Sequence, residues 1–219
     1  MGMQNYQGFV NFLITLLLVT TFLIILARRL NSVIMAVIIQ GLLLVALSAT
    51  LGWTTGIHEM YIAAVLTLVV KVLIIPVVLI KAVNIVAIKR EVESFLNMKM
   101  TLLFAVCLVF ISYLATGQVI GKGSGLLHGA LPVAVSLMLI GLFLMINLRF
   151  PIMQIVGLFV MENGIFLAGI GTTIGMPLVI ELGIFMDIMV GVLIMGVLVF
   201  RINQSFDIID RKNLRNLRG

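Results

Sequence analysis

Three ionisable side chains stand where hydrocarbon is expected. Glu162 lies in GLFVMENGIFLAG (157–169), Asp187 in ELGIFMDIMVG (181–191), and Lys71 in TLVVKVLIIP (67–76). Each is about ten residues from either end of its apolar run, so about 15 Å deep at 1.5 Å per residue. A charge at that depth costs at least ~2.5–3.5 kcal/mol on the lenient insertion scale. Short acidic side chains cannot snorkel out from there. They must face protein, trapped water or a partner subunit, or carry a proton. Burial disfavours the charged form of an ionisable group, which is the property that a proton- or ion-transfer site uses.

The local sequence supports prepared sites. Asn163 sets a donor and an acceptor beside Glu162. Gly183, Asp187 and Gly191 share a helix face at four-residue spacing, which lets a neighbouring helix approach closely. Pro76 removes the hydrogen bond to the carbonyl of Val72, predicting a kink and a freed acceptor beside Lys71. Glu181, six residues before Asp187, lies nearer the surface and extends the polar path. The competing reading is structural, a buried lysine–carboxylate pair welding helices together. Three ionisable groups at one depth favour an ion route over a weld. The candidate ion-translocation residues are therefore Lys71, Glu162, Asp187 and Glu181.

Other chemistry finds little support. The single cysteine, Cys107, excludes an intramolecular disulfide and a cysteine-held iron–sulfur cluster; inside an apolar run it reads as a small core residue. His58 and His128 lie far apart near segment ends and read as interfacial polar residues. GKGSG (121–125) lacks the spacing of a phosphate-binding loop. The 14 methionines form no cluster of ligands and read as core filler. No catalytic residue, metal or cofactor is expected in this chain.

The elements that must position these groups follow from composition. Of 219 residues, 63% are hydrophobic and 10% charged, with a mean hydropathy of +1.31; a soluble domain carries about a quarter charged residues. The fold class is all-α, a polytopic membrane protein with about seven transmembrane helices at roughly 9–27, 32–52, 60–82, 100–116, 129–147, 152–173 and 178–200. The first run reads as a retained helix. IKREVESFLNMK, between the third and fourth runs, reads as a surface helix or loop, and the last nineteen residues as a polar tail.

Twelve basic residues fall on one side under this assignment: Arg28, Arg29, Lys81, Lys89, Arg90, Lys99, Arg149, Arg201, Arg211, Lys212, Arg215 and Arg218. Lys122 alone falls on the other, and Lys71 lies within a span. This asymmetry predicts an outside N-terminus and a cytoplasmic C-terminus. The net charge of +6 then reflects loops facing anionic lipid, with no nucleic acid required.

The C-terminal portion, from about Leu126 to Gly219, resembles the K subunit of respiratory complex I and the C subunit of multi-subunit cation/proton antiporters. The resemblance rests on three spans, the basic loop NLRF, the acid in GLFVMENG, a second acid in the next span, and the NLRG tail. It implies that Glu162 and Asp187 belong to the hydrophilic axis that carries charge along the membrane arm. Asp187 departs from the pattern, since complex I has glutamate there. The whole chain resembles more specifically the E-type membrane subunit of hydrogenase-4 and formate hydrogenlyase-type complexes, through KVLIIPVVL, MENG, ELGIFMD and DRKNLRNLRG in order. Two regions follow, a four-helix part (1–125) and a K-subunit-like three-helix part with the tail (126–219). Spans one to three also run in the same sense as spans five to seven, with Gln40 and Lys71 where the second set has Glu162 and Asp187, as in a diverged repeat.

The resemblance implies a non-redox membrane subunit of a complex I-like, energy-converting hydrogenase in the inner membrane of a prokaryote. Its partners would be antiporter-like large subunits and a membrane subunit resembling that of the complex I quinone site. The alternative is a subunit of a cation/proton antiporter without hydrogenase activity. A retinal- or receptor-like seven-helix protein fits less well, with lysine in the third span and one tryptophan.

Overall fold

Without water to satisfy backbone N–H and C=O groups, an apolar chain in a bilayer has little choice but the helix. The computed structural model describes residues 2–85, 94–120 and 129–172, with Gly183, Gly191 and Gly196 beyond them. The elements are α1 (Gly2–Leu26), α2 (Leu30–Thr55), α3 (His58–Thr67), a π-helical segment (Leu68–Ile74), α4 (Ile75–Ile85), α5 (Met98–Ile120), α6 (Ala130–Asn147) and α7 (Pro151–Thr172). Among the described residues there is no strand, only an isolated bridge between Ser94 and Leu148.

Among the described residues, six helices are long and apolar enough to cross a membrane: Tyr6–Leu26, Leu30–Thr55, His58–Lys81, Met98–Gly117, Ala130–Asn147 and Met153–Gly171. They match the first six expected spans to within a few residues. The seventh (178–200) and the polar tail lie outside the described residues, apart from the three glycines.

Short connections keep neighbours antiparallel. The α2–α3 turn needs Gly56, whose φ of 70° is left-handed and whose N–H donates to the carbonyl of Gly52 at 3.0 Å. Pro151 opens α7, where its missing N–H is no loss.

The tightest seam joins α6 and α7. A Cβ on Gly141 would lie 2.4 Å from the backbone N of Met161, and one on Gly157 would lie 2.8 Å from that of Met145. Gly164 meets the carbonyl of Ala134 in the same way, at 2.7 Å. Small residues let backbones touch where lipid offers no hydrophobic drive. This seam also aims the site. At 3.6 residues per turn, Glu162 and Asn163 lie about 140° and 240° around α7 from Gly157. With the glycine face spent on α6, both must point toward the other helices.

The interior holds Thr21, Gln40, Lys71, Ser112, Ser136, Glu162 and Asn163 among its buried polar side chains, while Phe12, Leu73, Phe110 and Leu114 face outward. Cys107 corrects the expectation of a core residue, because it lies on an exposed face of α5. An apolar position in a membrane helix needs only lipid or a partner subunit around it.

Candidate functional site

Lys71 sits at the centre of the π-helical segment, five residues before Pro76. The sequence predicts a kink with one freed acceptor there; the structure instead widens the helix over Leu68–Ile74. Such π segments are rare and gather at functional sites. Gly41 on α2 makes room for it, since a Cβ there would lie 3.1 Å from Val72 Cγ2 and 3.6 Å from Lys71 Cβ.

The ammonium of Lys71 lies 2.9 Å from Glu162 Oε1 and donates to Asn163 Oδ1 at 3.0 Å. Lys71 is 5% exposed and Glu162 2%. The Phe166 ring, one turn beyond Glu162 on α7, has its centroid 5.6 Å from Nζ, a cation–π contact on the same charge. Gly183 packs against that ring: a Cβ there would lie 3.6 Å from Phe166 Cδ2.

Asn163 continues the network into the bundle. Its Nδ2 donates to Gln40 Oε1 at 3.1 Å, and Gln40 Nε2 donates to Thr21 Oγ1 at 2.9 Å. The Thr21 hydroxyl donates to the carbonyl of Leu17 at 2.9 Å. Every donor in this chain points away from Lys71 and every acceptor points toward it. Four elements, α1, α2, the π segment and α7, are thus held in one polar line whose oxygens favour an ammonium at its end.

Glu162 is the exception to this satisfaction. Its contact with Nζ is an ion pair by distance, yet among the described residues neither carboxylate oxygen receives a well-formed hydrogen bond, and Oε2 has no donor. A buried carboxylate oxygen without a donor is costly. It also leaves one acceptor open to a cation.

Of the residues that the sequence singles out, Lys71 and Glu162 are brought together, and Asn163 joins them directly. Asp187 and Glu181 lie outside the described residues. His58 opens α3 on the surface, in keeping with an interfacial reading. Thr21 is a site residue that sequence reasoning did not name, and Gln40 one that it named only as the counterpart of Glu162 in a diverged repeat. Gln40 left a signal, an amide followed by glycine within VIIQGLLLV; Thr21 left almost none, because threonine can satisfy itself on its own helix.

The chain is 28% identical to the uncharacterised protein Rv0085 of Mycobacterium tuberculosis over 219 residues, the whole of both chains. It is 29% identical to hydrogenase-4 component E of Escherichia coli over 181 residues, 82% of this chain and 83% of the relative. The same figures hold for hydrogenase-4 component E of Shigella flexneri. No family model matches the chain, and no solved structure does. A helical protein built to cross a membrane, with a lysine–glutamate pair inside its bundle, is thus similar over four-fifths of its length to hydrogenase-4 component E.

Proposed function

We propose that this chain is a membrane subunit of a complex I-like, energy-converting hydrogenase of the hydrogenase-4 or formate hydrogenlyase type, and that Lys71 and Glu162 form part of its ion-translocation axis. Asp187 and Glu181 are the further members of that axis in this reading. The similarity to hydrogenase-4 component E supports the assembly, and the relative's name supplies the class of complex. The observation that carries the ionic role is the unsatisfied Oε2 of Glu162 beside an ammonium at 2.9 Å from Oε1. A purely structural weld gains most when every lone pair is used; here one is kept open.

The chemistry follows from that geometry. A proton or another cation arriving at Oε2 neutralises the carboxylate and weakens its hold on Lys71. The ammonium keeps its bond to Asn163 Oδ1, which is held in place through Gln40 and Thr21. Four methylenes let Nζ shift while the relay keeps an acceptor in front of it. Loss of the cation restores the pair. Charge binding at Glu162 is therefore coupled to the position of Lys71, which is what a link in a buried axis requires. Electrons pass elsewhere, in partner subunits that hold the redox centres. The partners in this reading are antiporter-like large subunits and a quinone-site-like membrane subunit, in a prokaryotic inner membrane with the C-terminus in the cytoplasm.

Glu162→Gln tests the assignment, because glutamine keeps the shape and removes the carboxylate. Vesicles bearing the complex would be energised with its electron donor, and gradient formation compared with hydrogen evolved. Assembly is expected to persist while the gradient per hydrogen falls by about tenfold or more, the order set by general acid–base groups. Unchanged coupling would remove Glu162 from the axis.

A further inference from the structure

At the end of the bundle where Arg28, Arg29 and Arg149 gather, α1, α5, α6 and α7 surround a cavity of about 520 Å³, within the range of ~300–1,000 Å³ usual for ligand pockets. We propose that it binds the phosphate of an anionic phospholipid from the adjoining leaflet.

The wall is already built. Ser94 Oγ donates to the Leu96 carbonyl at 2.7 Å, and the Leu96 N–H donates to Asn147 Oδ1 at 3.0 Å. Asn147 Nδ2 donates to Thr101 Oγ1 at 3.1 Å, and Thr101 Oγ1 to the Asn97 carbonyl at 3.2 Å. Each of these neutral groups has a hydrogen committed within the wall. The charged donors beside it are the arginines. Among the described residues Arg28 reaches Met98 Sδ, at 3.9 Å, and Arg29 leads into α2 without a side-chain cap. The first N–H groups of α2, which have no intrahelical acceptor, lie at the same level.

The acids among the described residues are elsewhere. Glu59 opens α3, a full helix length away along α2, and Glu162 is paired with Lys71. Two guanidinium groups without a described carboxylate suit a phosphate, which accepts forked donors. The floor selects the lipid over the free ion. Ile24, Leu144 and Met153 line the cavity and are buried, offering contact to a glycerol backbone and the first acyl carbons, from which inorganic phosphate gains nothing. The basic end of the bundle is also the end that charge asymmetry assigns to the anionic leaflet.

The test uses the full-length chain in detergent micelles, titrated with phosphatidylglycerol and phosphatidylcholine and read by native mass spectrometry. One phosphatidylglycerol should be retained per chain, in preference to phosphatidylcholine. At about a factor of five for each arginine near an anionic surface, R28Q/R29Q should weaken it roughly twentyfold to thirtyfold. Lys81→Gln, the loss of one cation that does not line the cavity, should leave it unchanged. Ile25→Trp keeps both arginines but narrows the cavity, so it should also lose the lipid, and it decides the matter if the double variant does not fold. Wild-type retention by the folded double variant, or by Ile25→Trp when that variant is unfolded, overturns the proposal. Displacement by excess inorganic phosphate does so as well, since it would mark a free-anion site. A tenfold gain in Glu91→Gln/Glu93→Gln would show that the chain's own acids occupy the arginines, and would equally overturn it.

Discussion

Two of the buried polar clusters among the described residues are made of opposite materials. Between α5 and α6, Ser112 Oγ reaches the carbonyls of Val109 at 3.0 Å and Pro132 at 2.8 Å, and pairs with Ser136 Oγ. Ser136 also donates to Pro132, and Thr116 to the carbonyl of Ser112. All of these side chains are short and neutral, and they close on backbone carbonyls within a turn or across one seam. The cluster at Lys71 instead spans four elements with long side chains, carries two charges, and leaves Glu162 Oε2 open. The first pattern is what helix adhesion in lipid requires. The second is a poor adhesive, because desolvating two ions offsets much of their attraction. Its place in the interior supports the ion-transfer role proposed above.

That contrast can be broken experimentally. The largest effect is expected at the seam that aims α7. Gly141→Leu would drive a side chain into the backbone of Met161, where even a Cβ would sit at 2.4 Å, so folded protein in the membrane fraction should be lost. If it accumulates normally, the seam does not position Glu162. Next comes the charge itself. Lys71→Met leaves Glu162 buried without its partner, and a lone buried charge costs about 3–5 kcal/mol; the subunit should still insert, with ion transfer slowed at least tenfold. Lys71→Arg separates two roles, because arginine keeps the charge and does not release its proton. Rescue by arginine marks a fixed countercharge, whereas failure of both variants marks Lys71 as a relay. Normal transport in both would place Lys71 outside the axis.

A smaller effect is expected one step along the line. Gln40→Leu leaves Asn163 Nδ2 without its acceptor, a cost of about 1–3 kcal/mol for a buried group. Ion transfer should slow by several-fold, and Gln40→Glu, which still accepts from Asn163 Nδ2, should slow it less than Gln40→Leu. The smallest effect belongs to the neutral cluster. Ser112→Ala should cost about 0.6 kcal/mol, the average for such bonds in membranes, with transport unchanged. A transport defect there as large as that of Gln40→Leu would erase the distinction between the clusters.

What the sequence determined by itself was depth. The apolar runs, their basic flanks and the misplaced Lys71 and Glu162 were all legible, because hydropathy is local and lipid forces every spanning run into a helix. The six described spans and the level of both charges follow from that alone. Azimuth and neighbours were decided only by the tertiary structure. Gln40 and Thr21 became site residues because α1 and α2 turn them toward Asn163, and a hydropathy plot holds no term for rotation. The widened turn at Leu68–Ile74 changes the helical phase of everything after it, so a wheel drawn at 3.6 residues per turn would misdirect Lys71. Cys107 shows the same limit from outside. Lipid accepts the faces that water would force inward, so an apolar setting in the sequence does not say which side of the helix meets protein.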